Sequence, residues 1–143
     1  MLDIGCASGY FLDIAQKNGW QIDGIELSQD LAKQAEALLN IQIYSLTLEE
    51  VNFASNYFDV VSMFDVLEHL SDPAKTLEEI SRIMKPGGIL VVNFPAIDSI
   101  FAKILVNSKT VYYSLTMISR IMIFRQQVVY ISFNDAPKST MFI

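Results

Sequence analysis

The chain has 143 residues, 52% of them apolar and 18% charged, which excludes intrinsic disorder and suits a single buried core. A formal net charge of −6 excludes a general nucleic-acid binder, because no basic surplus exists to displace counterions from phosphates. One cysteine excludes an intramolecular disulfide, and no Cys/His cluster offers a structural zinc site.

The chain starts MLDIG, without the basic and apolar regions of a leader peptide, so the expected compartment is the cytoplasm. Residues 2–4 predict a short strand ending in Gly5, and residues 10–17 a helix with Phe11, Ile14 and Ala15 facing inward. Asn18-Gly19 supplies the helix stop. Residues 20–26 predict a second strand. Ser28 is expected to cap a second helix that carries Leu31, Ala35, Leu38 and Leu39 on one face.

Residues 41–44 predict a third strand, and Thr47-Leu48-Glu49-Glu50 has the form of a capping box. FDVVSMF at residues 58–64 is apolar enough for a strand buried on both faces. Asp72-Pro73 opens a helix striped by Leu77, Ile80, Ile83 and Met84. Lys85-Pro86-Gly87-Gly88 predicts a tight turn, and residues 89–94 a fifth strand. Strand–helix alternation with short links predicts an α/β, doubly wound, mostly parallel sheet. Ligands of such sheets sit beyond the strands' carboxyl ends, where the strand order reverses.

The first of those loops, Asp3-Ile4-Gly5-Cys6-Ala7-Ser8-Gly9-Tyr10, has two glycines around a turn, open to backbone approach by a ligand. A dinucleotide fingerprint would need glycine at positions 7 and 10, where Ala7 and Tyr10 stand, so a nicotinamide oxidoreductase is disfavoured. Glu26, ending the second strand, can accept hydrogen bonds from both hydroxyls of a ribose.

Four stretches then come together: LDIGCASG at 2–9, GIELS at 24–28, FDVVSMFDVLEHL at 58–70 and MKPGGILVV at 84–92. In this order they resemble class I S-adenosylmethionine-dependent methyltransferases, and most closely the small-molecule group that includes ubiquinone and menaquinone biosynthesis methyltransferases. The resemblance covers roughly residues 1–105 and implies a Rossmann-like sheet, S-adenosylmethionine as cofactor and a small-molecule methyl acceptor. It implies that Asp3, Gly5, Cys6, Ala7, Ser8 and Gly9 cradle the methionyl part. Glu26 would hold the ribose, and Leu27, Thr47 and Leu48 would border the adenine. Phe64 and Asp65 would lie near the reacting centre. Ala7 replaces a common glycine. Leu46 stands where many relatives have an acidic residue, which leaves the adenine amino group without a side-chain partner there.

Asp65, Glu68 and His69 are the candidate catalytic residues, the one cluster offering acid–base chemistry. Some similar quinone O-methyltransferases bind a divalent cation with such a cluster. The competing reading is that Glu68 and His69 support the loop, and no metal ligand is assigned. Cys6 reads as a small residue packed in the turn.

The charge balance changes along the chain. Residues 1–95 hold five Lys or Arg against fourteen Asp or Glu, whereas residues 96–143 hold five against two. Residues 1–105 are therefore read as the cofactor-binding core and residues 106–143 as a divergent apolar tail. The sheet is expected to be incomplete at the N-terminus and irregular at the C-terminus. Residues 99–106 fit a helix and 128–133 one late strand, but no closing strand pair is recognisable, so the fifth strand should show a bare edge. Residues 107–124 match no element of the relatives. The tail is open to three readings: an acceptor-binding cap, a segment touching a membrane surface, or out-of-frame sequence. The expected activity is methyl transfer, the alternative a vestigial or truncated nucleotide-binding module without turnover.

Overall fold

The computed structural model describes residues 1–95, 126–132 and 141–142. Its strands are β1 (Leu2–Ile4), β2 (Asp23–Ile25), β3 (Phe58–Phe64), β4 (Met84–Pro95), β5 (Gln126–Ser132) and β6 (Met141–Phe142). They form one sheet in the order β2-β1-β3-β4-β5-β6. The first four run parallel, and β5 and β6 are antiparallel to their neighbours. The helices are α1 (Tyr10–Lys17), α2 (Gln29–Leu39), α3 (Leu48–Val51) and α4 (Pro73–Ile83), with a 3-10 turn at Leu67–His69. The chain runs outward from β1 to β2, then crosses back to β3 on the other flank of β1. The strand order therefore reverses between β1 and β3, which makes the cleft at their carboxyl ends the expected ligand position.

The core has two clusters. Leu2 and Ile4 join Leu48 of α3 and Ile80 and Ile83 of α4 in one, while Cys6, Leu12, Ala32, Ala35 and Leu39 form the other beside α1 and α2. Strand periodicity then puts Asp3, between Leu2 and Ile4, on the α1 side of the sheet. Full burial of side chains such as Leu12, Ile80 and Leu90 stabilises by about 1.5–3 kcal/mol each before entropy is counted.

Several local signals hold. Asp72 caps α4 by accepting from the Lys75 N–H at 3.1 Å, with Pro73 at the first helical position. Thr47 and Glu50 make the reciprocal capping box that opens α3.

Others are corrected by tertiary contacts. On α1 the buried residues are Leu12 and Ala15, whereas Phe11 and Ile14 are exposed, so the inward face is turned by about one residue. On α2, Ala32 is buried and Leu38 exposed. Ser28 makes no side-chain cap; its own N–H is held by the Glu26 carboxylate. The second strand is shorter than expected, with Trp20 exposed outside it. The third expected strand, at 41–44, reduces to one bridge between Tyr44 and Ile25, and the Ile43 N–H, on the edge away from β2, donates to Glu36 Oε1 at 3.0 Å. The turn expected at residues 85–88 falls within β4, whose pairing with β3 slips between Phe58 and Val60.

The bare edge is also overturned. Residues 126–132 pair antiparallel with 89–95 along seven positions, and β6 extends the sheet by two more. The helix expected at 99–106 and the segment 107–124 lie outside the described residues. Among the described residues, no helix is long and apolar enough to cross a membrane.

Candidate functional site

The cleft is floored by the loop between β1 and α1. The N–H groups of Gly5 and Cys6 both donate to the Ile25 carbonyl, at 2.8 and 2.9 Å, which fastens the loop to β2. Gly9 closes the turn through its N–H to the Cys6 carbonyl at 2.9 Å. Its φ of 82° lies in the left-handed region, and a Cβ there would come within 2.9 Å of Ala35 Cβ and Leu39 Cδ1. Gly5, at φ 75°, faces Val66, whose side chain fills the space a Cβ would take. Both glycines are thus demanded by packing inside the protein, in addition to any ligand overhead. Ala7 sits at the crest, exposed, with φ 48°.

Glu26 is half-buried just past the end of β2. Its Oε2 accepts from the Ala7 N–H at 3.0 Å and its Oε1 from the Ser28 N–H at 2.7 Å, so one carboxylate joins the loop to the start of α2. Each carboxylate oxygen keeps a lone pair for a further donor. Leu27 is 64% exposed beside it, and Leu46 is 45% exposed on the next loop. The other expected adenine neighbours are occupied elsewhere. Leu48 points into the core, and Thr47 Oγ1 bonds to Glu50 at 2.9 Å.

Asp3 is buried beneath the loop and accepts from Ser62 Oγ of β3 at 2.7 Å. Burial pushes its carboxyl up to about 7, with the Ser62 bond opposing. Burial, with Asp3 and Glu26 nearby, pushes the Cys6 thiol up to about 12, the behaviour of a packed, unreactive side chain. Ser62 is the residue that motif reading missed. Its signal was a lone hydroxyl between apolar Val61 and Met63 in the buried part of β3, where a polar group needs a partner.

At the end of β3, Phe64 meets Phe11 of α1 edge-on, with centroids 4.9 Å apart. Asp65 follows at φ 54°, exposed, its N–H donating to the Asn93 carbonyl of β4 at 2.9 Å. His69 is exposed, whereas Glu68 Oε2 is buried, as is Asn93 Oδ1, and neither has a hydrogen-bond partner among the described residues. No group of three or more His, Cys, Asp or Glu among the described residues is arranged to hold a metal ion. Asp3 lies within β1, and Glu26 and Asp65 directly follow β2 and β3, the two strands that flank it.

A family model described as a methyltransferase domain matches residues 2–92, well over half of the chain. The chain belongs to this methyltransferase family. Among curated relatives, it is 28% identical over 95 residues to the ubiquinone biosynthesis O-methyltransferase of Coxiella burnetii, covering 63% of this chain and 41% of that one. It is 32% identical over 96 residues to the enzyme of the same name from Saccharophagus degradans, covering 62% and 40%. The chain thus spans about two fifths of the length of these methyltransferases. Among solved structures, an S-adenosylmethionine dependent methyltransferase from Mesorhizobium loti superposes with a TM-score of 0.61 at 23% identity, covering 66% of this chain and 45% of that one. That likeness establishes the Rossmann-like methyltransferase fold.

Proposed function

We propose that this chain binds S-adenosylmethionine in the cleft at the ends of β1, β2 and β3 and directs its methyl group to a small-molecule acceptor. The observation that carries the reading is the charge of the site. Glu26 and Asp65 stand at the ends of β2 and β3 with Asp3 buried beneath the loop, and residues 3–10, 24–28, 44–47 and 64–66 contain no Lys or Arg. Such a donor set suits a ligand bearing an ammonium and a sulfonium. It would repel the pyrophosphate of a dinucleotide.

Glu26 is suited to the ribose hydroxyls, and Leu27 with Leu46 to the faces of the adenine, with no side-chain carboxylate for its amino group. When bound, the cofactor supplies an activated methyl on sulfur. What the chain then contributes is alignment and exclusion of water, with the Phe11–Phe64 pair as the apolar wall toward the acceptor. Asp65, Glu68 and His69 follow Phe64 in the segment after β3. They are the groups placed to take a proton from an acceptor protonated at working pH. The relatives' name makes a hydroxyl the acceptor group favoured by this reading. All these residues fall within the 1–105 core.

Calorimetric titration tests the reading: S-adenosylhomocysteine is expected to bind and NAD to fail. Glu26→Ala is expected to weaken S-adenosylhomocysteine by about ten- to hundredfold, the loss of a charge-assisted interaction of about 1.5–3 kcal/mol. The ligand-free variant should also melt earlier, because the Ala7 and Ser28 N–H groups lose their shared acceptor. Unchanged affinity in that variant would remove Glu26 from the site.

A further inference from the structure

Asn18-Gly19, the stop of α1, is the one place in the chain where an asparagine precedes a glycine. That pair is chemically fragile. The backbone nitrogen of the following residue can attack the side-chain carbonyl carbon of asparagine, and glycine, lacking a side chain, hinders the attack least. Both residues are exposed, and a Cβ at Gly19 would meet nothing within 4 Å, so packing gives them no shelter and water reaches them freely.

The backbone shelters them instead. α1 ends in a Schellman motif, with the Trp20 N–H donating to the Ala15 carbonyl at 3.1 Å and the Gly19 N–H to the Gln16 carbonyl at 2.9 Å. The attacking nitrogen is therefore engaged elsewhere. With ψ of Asn18 at 14°, it also lies nearly eclipsed with the backbone nitrogen of Asn18 and is rotated away from the side chain. The side chain in turn faces back along the helix, its Nδ2 donating to the Ile14 carbonyl at 2.8 Å. Nucleophile and target are held apart until the last turn of α1 opens.

We propose that Asn18 is a site of spontaneous deamidation latched by the C-terminal turn of α1, so that the reaction runs from the opened turn. The Gly19 nitrogen bonds to Asn18 Cγ, and the side-chain nitrogen leaves as ammonia, taking up through solvent the proton that Gly19 gives away. The product is a five-membered imide. Water then opens the imide at either carbonyl, leaving aspartate or isoaspartate, and no other reactant is needed. Each product undoes the latch. A carboxylate replaces the donor to the Ile14 carbonyl and sets a negative charge at the negative end of α1. Isoaspartate also adds a carbon to the backbone, which displaces the Gly19 and Trp20 N–H groups from their acceptors. The helix so loosened is the one that the Gly5–Gly9 loop leads into.

The test holds the full chain at mildly alkaline pH, folded or unfolded in urea, and follows the mass of the tryptic peptide 18–33, in which Asn18 is the sole asparagine. The unfolded chain should convert at Asn18. The folded chain should convert about ten- to a hundredfold more slowly, the effect of two guarding backbone hydrogen bonds. Gly19→Ala should slow the unfolded chain, because its methyl group crowds the attacking nitrogen. Asn18→Asp reproduces one product and should melt earlier than the parent. Equal rates in the folded and unfolded chains overturn the latch, and an unfolded chain without mass gain in this peptide overturns the site. A melting temperature of Asn18→Asp at or above the parent's overturns the claim that the product releases the turn.

Discussion

Replacing Gly9 with alanine is expected to destabilise the chain by about 2–4 kcal/mol, well beyond the same change at Gly19. Both glycines lie in the left-handed region, at φ 82° and 85°, so both alanines carry the backbone penalty of about 1–2 kcal/mol. Only their surroundings differ. A Cβ at Gly19 meets nothing within 4 Å, whereas one at Gly9 presses on Ala35 and Leu39 at 2.9 Å and on the Ala35 Cα at 3.2 Å. The last contact is backbone, so relief requires α2 to move off the sheet, and overpacking of this kind costs about 1–3 kcal/mol more. Urea midpoints of the two variants, measured side by side, check this. Equal midpoints would mean that the loop is not clamped between the sheet and α2.

The second large effect runs the other way. Asp3→Asn is expected to be more stable than the parent above pH 7 by up to about 4 kcal/mol, with the advantage shrinking toward pH 4. The folded carboxyl titrates near 7 and its unfolded counterpart near 3.8, so between those values the folded state holds a proton that the unfolded state has lost. Stability from this residue is therefore fully present below about pH 4, falls as pH rises toward 7, and stays low beyond. Asparagine has no such titration. Thermal melts of both proteins between pH 4 and 8 read the difference directly. Parallel melting curves would show that Asp3 titrates as an ordinary surface carboxylate. A site that stabilises the empty fold when disarmed is typical of residues kept for a ligand.

What was legible in the sequence was local. The Asp72-Pro73 helix start and the Thr47–Glu50 capping box each depend on residues three or four apart, and both formed as read. The glycine loop was found by spacing, but its physical reason was not. Val66 and Ala35, which demand the glycines, come from distant parts of the chain. The same limit explains α1, where helical spacing fits either Phe11 or Leu12 as the inward residue. Packing against α2 chose Leu12, and Phe11 went to Phe64 instead. Residues 41–44 have strand composition, yet only Tyr44 pairs with β2, its N–H to the Gly24 carbonyl and its carbonyl from the Glu26 N–H. Ser62 and Asp3 are 59 positions apart, and only the parallel register of β1 on β3 makes them partners. Glu26 was read as a ligand residue. Its second duty, holding Ala7 and Ser28 together, appears only once β2 and α2 are folded.

The Val66 side chain, lodged where Gly5 lacks one, has a consequence for how the cleft can move. Val66 belongs to the segment after β3 that leads to the acceptor side, and Gly5 belongs to the loop that would carry the donor. With that methyl lodged against Gly5, a tilt of either rim presses on the other. On the proposed reading, a push on the acceptor rim would reach the donor rim through that one contact.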